Sequence, residues 1–201
     1  MPENKELINK TVKALDANNM KTTVVKTAED AKKYLASLVS KDTTTGNGGS
    51  MTLVHSGIID FLKDNTDYKE DRSVHHSVDY YFASANAITE NGEIYQVDGH
   101  SNRISCLVNG PKKVVIIAST NKIVKDLDDA KLRMMKIAAP LNAKRLSRKT
   151  PCAVTGECIA LKTGKRCDSE ERICSNTLIM EKQVAKDRVE VILITDENWG
   201  Y

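Results

Sequence analysis

The feature that most narrows the fold is the segment Lys113–Ser119, KVVIIAS, in which every residue from Val114 to Ala118 is apolar. Successive side chains of a strand point to opposite faces, so an unbroken apolar run predicts a strand covered on both sides. A doubly covered strand belongs inside a parallel sheet flanked by helices. The flanking elements can be read from periodicity. Leu7, Ile8, Val12 and Leu15 predict a helix over residues 4–17, and MKTTVVK (Met20–Lys26) predicts a strand. Thr27, with Glu29 and Asp30 behind it, predicts a capped second helix whose buried stripe is Tyr34, Leu35 and Leu38. Residues 1–40 thus read as helix, strand, helix.

Further along, KDTTTGNGGS (Lys41–Ser50) is small, polar and glycine-rich and reads as a loop. Met51–His55 reads as a short strand, and Ser56 as the cap of a helix over residues 57–62. Val74–Val78 reads as the end of another helix, DYYFAS (Asp79–Ser84) as a buried strand, and ANAITENG as a loop with a tight turn at Asn91-Gly92. Glu93–Val97 is a further strand. After Asp126, a long helix carries the stripe Leu127, Ala130, Met134, Ile137 and Leu141, with Pro140 expected to kink or end it. Strands over residues 177–181 and 189–195 close the chain. The expectation is one α/β domain over residues 1–201, three-layered, with a mainly parallel sheet.

Composition excludes several classes. A net charge of +3 is too weak to point to nucleic acid, and Val114–Ala118, the longest apolar run, is far too short to span a bilayer. The polar start MPENKELINK lacks the apolar core of a signal peptide, so the expected compartment is the cytoplasm, where thiols stay reduced. In that setting the spacing C-x5-C-x8-C-x6-C, formed by Cys152, Cys158, Cys167 and Cys174, reads as metal-binding or catalytic before it reads as disulfide. Four thiolates can complete a tetrahedral zinc site or hold an iron–sulfur cluster. No C-x-x-C pair is present, and two bland readings compete: small buried hydrophobes, or a redox-active pair. Cys106, in RISCLV, reads as core, and His75 and His76 as surface or core residues.

An ordered series of phrases resembles the LUD (lactate-utilization domain) family: GGSMTL (Gly48–Leu53), SANAITENGEI (Ser84–Ile94), DGHSNRI (Asp98–Ile104), NGPKKVVIIAS (Asn109–Ser119), TNKIVKDLDDA (Thr120–Ala130), AAPLNAKRL (Ala138–Leu146), TPCAVTGEC (Thr150–Cys158) and SEERIC (Ser169–Cys174). The resemblance covers about residues 40–201. It implies a fold of the NagB/RpiA/CoA-transferase kind. Some relatives act in bacterial oxidation of lactate beside iron–sulfur proteins. Those subunits do not generally carry the four-cysteine segment, and this chain looks more like the short stand-alone branch. Cys158 and Cys167 also stand further apart than in the family pattern.

The site expectations rest on position and on the resemblance. In the glycine-rich stretch, Gly46, Gly48 and Gly49 allow close approach of backbone N–H groups to a ligand, and Ser50 and Thr52 add hydroxyl donors, which suits a phosphate or carboxylate; the bland reading is a flexible connector. Asn86 and Thr89 follow the DYYFAS strand, and Asn121 and Lys122 follow KVVIIAS, at the strand ends where open α/β sheets bind ligands. Asn102 and Arg103 join them, Arg103 through its planar fork. Glu90 or Asp98 is the candidate base or nucleophile, by analogy with CoA-transferase-like folds. Asn86, Asp98 and Asn102 equally suit turns and backbone binding. The leading expectation is a domain that binds a small anionic metabolite such as an organic acid, sugar phosphate or CoA-type ligand. The alternatives are a redox accessory protein with an iron–sulfur cluster or zinc at the cysteines, and a CoA-transferase- or isomerase-like enzyme. Expected associations are a homodimer or an iron–sulfur protein partner, without nucleic acid or membrane.

Overall fold

The computed structural model of the chain describes residues 2–201. In chain order it holds α1 (Pro2–Ala17), β1 (Met20–Val25), α2 (Ala28–Leu35), β2 (Thr44–Asn47), α3 (Met51–His55), α4 (Ile58–Asn65), β3 (Asp67–Tyr68), a 3-10 turn (Arg72–Ser77), β4 (Tyr80–Ala83), β5 (Ala87–Thr89), β6 (Ile94–Asp98) and α5 (Asn102–Val108). Next come β7 (Lys113–Ser119), a 3-10 turn (Thr120–Lys122), β8 (Ile123–Val124), α6 (Leu127–Arg133), a π turn (Met134–Ala138), α7 (Ala139–Arg145), α8 (Pro151–Thr155), α9 (Ile159–Thr163), β9 (Asn176–Met180) and β10 (Val189–Ile194).

The apolar run of β7 does what its pattern predicts. Val114, Ile116 and Ala118 face one helical layer with Leu15, Cys106 and Leu107. Val115 and Ile117 face the other with Leu35, Leu53, Ile58 and Leu62. β7 lies inside a six-stranded, wholly parallel sheet ordered β1-β10-β7-β4-β2-β3. Truncating one of these buried β7 side chains to alanine would cost about 2–5 kcal/mol. A second, four-stranded sheet, β8-β5-β6-β9, packs against α6 and the π turn through Ala87, Tyr95, Val97, Ala130 and Met134. The chain crosses between the sheets at Ser84–Asn86, the three residues separating β4 from β5.

The Thr27 cap is observed as a capping box with Asp30. Other expectations need correction. The glycine-rich stretch contains a strand, β2, because Gly46 lies flat against the His75 imidazole; a Cβ there would sit 2.6 Å from His75 Cδ2. Thr45 meets Thr66 hydroxyl to hydroxyl at 2.6 Å. Met51–His55 is helical, with Ser50 as its cap, accepting from the Leu53 N–H, and Ser56 at its end. Gly57, in the left-handed region at φ +69°, starts α4. Residues 74–77 belong to a 3-10 turn rather than to a helix end, and Val78 after them is extended. Ala87–Thr89, expected as loop, is strand β5, and Gly92 (φ +78°) closes its hairpin with β6.

The long helix is neither kinked apart nor ended by Pro140. The π turn comes first, with the Ala139 N–H reaching back to Met134 O, and α7 then accommodates the proline in its first turn. An extra residue in that turn rotates α7 about the helix axis, so Ile137 and Leu141 are exposed while Ala138 and Ala143 are buried.

Candidate functional site

Beyond the carboxyl ends of β2, β4, β7 and β10 lies a cleft of about 510 Å³. One wall is the segment Asn47–Thr52, which leaves β2 and enters α3. Gly48 is required there, since a Cβ would meet Arg103 Cγ at 2.7 Å and the Tyr81 hydroxyl at 2.9 Å. Gly49 differs: a Cβ on it would project into open space. Residues of α7 and the turn after it, with Tyr201, form the opposite wall. Tyr201 is held by Asn142 Oδ1 (2.9 Å) and Arg145 Nε (3.0 Å), and its chain is pinned where the Trp199 N–H meets Ser119 Oγ at 2.9 Å.

Three cations converge on the Ser84–Asn86 joint. Lys122, 2% exposed, points its Nζ at Thr52 Oγ1 (2.8 Å), Ser84 Oγ (3.1 Å) and Ala85 O (3.2 Å). Arg103 Nη2 donates to Val97 O (2.8 Å) and Asn86 Oδ1 (3.2 Å), while its buried Nε finds no acceptor among the described residues. Arg133 Nη1 donates to Asn86 O at 2.7 Å. Among the described residues none of the three forms a salt bridge. Burial therefore lowers all three pKa values, and that of Lys122 falls to about 7, helped by the nearby positive charges of Arg133 and Arg103. The Asp98 charge partly counters this at Arg103. Burial likewise pushes the Tyr81 phenol up.

The cleft brings together Gly48, Gly49, Ser50, Thr52, Asn86, Asp98, Asn102, Arg103 and Lys122. Asp98 is engaged with backbone: its oxygens accept from the N–H groups of His100 (3.2 Å), Arg103 (2.8 Å) and Ile104 (3.3 Å), fixing the start of α5. Asn86 is shared, since its Oδ1 also accepts from the Val97 N–H at 2.8 Å. Thr89, Glu90 and Asn121 lie outside the cleft. Thr89 bonds Glu93 across the hairpin turn, Glu90 pairs with Lys10 at 2.5 Å, and Asn121 is exposed in the turn ahead of Lys122. Sequence reasoning missed Tyr81, His75, Arg145 and Tyr201, which also line the cleft. Tyr81, within DYYFAS, was readable as core but not as a hydroxyl aimed at a site.

The four cysteines of the C-terminal segment are free and half-buried. Cys152 Sγ lies 3.3 Å from Thr150 Oγ1, and Cys174 Sγ accepts from Arg172 Nε at 3.4 Å while packing against the small sheet. Among the described residues no group of three or more His, Cys, Asp or Glu side chains is placed to hold a metal ion. Cys106, by contrast, is core, beside the Tyr81 hydroxyl on the cleft floor. Among the described residues no helix is long and apolar enough to cross a membrane.

The fold and the cleft define an α/β protein with a parallel sheet and a cationic pocket at its strand ends. The chain belongs to the LUD domain family, whose profile matches residues 8–194. A DUF162 family protein from Deinococcus radiodurans, 10% identical, shares the fold at a TM-score of 0.54, with 96% of this chain and 98% of that chain covered. Two partial likenesses are eIF2B delta from Chaetomium thermophilum (14% identity, TM-score 0.38, 64% of this chain and 55% of that chain) and ribose 5-phosphate isomerase from Plasmodium falciparum (17%, 0.33, 49% and 52%). No curated protein matches the chain.

Proposed function

We propose that the cleft binds a small anionic metabolite, an organic acid or a phosphorylated compound, held by Arg103 and Lys122. The observation that carries this is the set of buried cations on the Ser84–Asn86 joint without a carboxylate partner among the described residues. Burying a charge costs several kcal/mol unless something compensates it, and an anion entering the cleft supplies that compensation. The lining supports the same sign of ligand: Arg72, Arg103, Lys122, Arg145 and Arg148 stand against one carboxylate, Asp98. Arg148 also has a buried Nε without an acceptor among the described residues.

The family's name fits an organic acid, and lactate belongs among the first compounds to test. A carboxylate nucleophile has less support, because Glu90 is outside the cleft and Asp98 is occupied by three backbone N–H groups. The test is thermal denaturation in anion-free buffer against organic acids, sugar phosphates, CoA esters and nucleotides. A ligand at 100 times its Kd adds about 2.7 kcal/mol of stability. Stabilisation by at least one class, reduced in Arg103→Met, is expected. No stabilisation by any of them overturns the reading.

A further inference from the structure

Anion binding uses the charge of Lys122, but the surroundings of its Nζ also suit a neutral amine. The Thr52 hydroxyl hydrogen is committed to Trp199 O at 3.0 Å, and Ala85 O has no hydrogen to give. Both therefore accept N–H from Nζ, at 2.8 and 3.2 Å. The third partner, Ser84 Oγ at 3.1 Å, carries a hydroxyl hydrogen with no other acceptor among the described residues, so it can donate to the nitrogen. Two N–H donors and one lone pair are the inventory of an amine. A buried lysine beside other cations is how proteins make a nucleophilic amine at neutral pH. The position is also right: Lys122 follows β7 into the cleft floor, and Arg103 grips the neighbouring residue of the same joint.

We propose that Lys122 is a nucleophilic amine that condenses with the carbonyl of an oxo acid whose carboxylate is held by Arg103. The proposal rests on the anion-binding reading above and narrows it to molecules carrying both a carbonyl and a carboxylate. The Nζ lone pair attacks the carbonyl carbon, and the C=O π pair moves to oxygen, which takes a proton. The carbinolamine then expels that oxygen as water, and a C=N bond forms as nitrogen loses its hydrogens. The balance is amine plus carbonyl gives imine plus water, with no oxidant or reductant. The Ser84 hydroxyl is placed to relay the proton. Near neutral pH much of the Lys122 amine is free, because its pKa falls to about 7. For an ordinary lysine near 10.4 the free fraction at that pH is smaller by about a thousandfold.

The test is reductive trapping on the whole chain. The protein is incubated with pyruvate, 2-oxobutanoate, 2-oxoglutarate or acetoacetate and sodium cyanoborohydride, then digested and mapped by mass spectrometry. Thermal shifts are measured beside it for each oxo acid and its hydroxy counterpart. The expected result is one reduced adduct on the Lys122 peptide, far above any exposed lysine, with a rate that rises through about pH 7. Lys122→Arg should lose the adduct; if that variant does not fold, the site mapped in the unaltered chain decides. An oxo acid that stabilises the protein but labels Lys122 no more than exposed lysines overturns the amine role and leaves anion binding standing. If no carboxylate or phosphate stabilises the protein at all, anion binding fails, and the proposal with it.

Discussion

Replacing Lys122 by methionine removes the charge while keeping most of the volume, and its effect can be worked out from the burial of Nζ. In the unfolded chain the amine titrates at its ordinary value of 10.5; in the fold it titrates at about 7. Below pH 7 the lysine is charged in both states, and the fold carries the whole cost of burying it. Between 7 and 10.5 the unfolded chain binds more protons than the folded one, so stability rises with pH, by up to about 1.4 kcal/mol per unit. From pH 7 to pH 9 the gain is about 2 kcal/mol. For a chain of this size, with a urea slope of about 2 kcal/mol per molar, the unfolding midpoint should climb by about 1 M. The assay is urea denaturation at pH 7, 8 and 9 in buffers free of phosphate, sulfate and carboxylates. Other titrating groups contribute equally to Lys122→Met, so the difference between the two proteins isolates Nζ. It should shrink by about 2 kcal/mol over this range if methionine is the more stable at pH 7, or widen by that amount in favour of lysine if it is not. Parallel curves would show that the lysine is not a penalised buried cation and would refute the reasoning.

Gly48→Ala should cost about 1–3 kcal/mol in denaturant melts, because the new methyl group collides with Arg103 Cγ and the Tyr81 hydroxyl. Gly49→Ala, whose methyl group enters open space, should leave stability within about 0.5 kcal/mol yet weaken an anion bound in the cleft by about tenfold, measured by calorimetry. Under native conditions Ellman's reagent should titrate Cys152, Cys158, Cys167 and Cys174 rapidly and Cys106 slowly; fewer than four fast thiols in anaerobically purified protein, with iron or zinc present, would instead point to a metal centre. The hydrogen bond and charge of Lys112, with bonds from Thr44, hold the Asp79 carboxyl at about 2 against an ordinary 3.8. That stability is present above pH 4 and lost as pH falls towards 2. Asp79→Asn should therefore lower the urea midpoint at pH 5 and leave it nearly unchanged at pH 2.

The core of the fold was legible because its signals are local. The unbroken run of β7 required cover on both faces, and the Thr27–Asp30 box is a four-residue pattern. What was not legible depended on distant partners. β2 is made of Thr, Gly and Asn and is a strand only because Thr66 and His75 receive it. The π turn misplaced Ile137 and Leu141, since an α-helical repeat carried through it assigns them to the wrong face. In the site, position after a strong strand was enough to single out Lys122 and Asn86. It could not separate Lys122, turned inward, from Asn121, turned out. Tyr201 and Arg145 are far apart in the chain, and nothing local announces their contact.

The Ser84–Asn86 crossing also has a mechanical meaning. The two sheets are separate hydrogen-bonded bodies, and this short hinge is clamped by Lys122 from the turn between β7 and β8, Arg103 from α5 and Arg133 from α6. A ligand that draws on the same side chains must share them with the hinge. Occupancy and the stiffness between the sheets then become one equilibrium, and filling the cleft should alter amide hydrogen exchange at Ala87–Thr89, residues the ligand never touches.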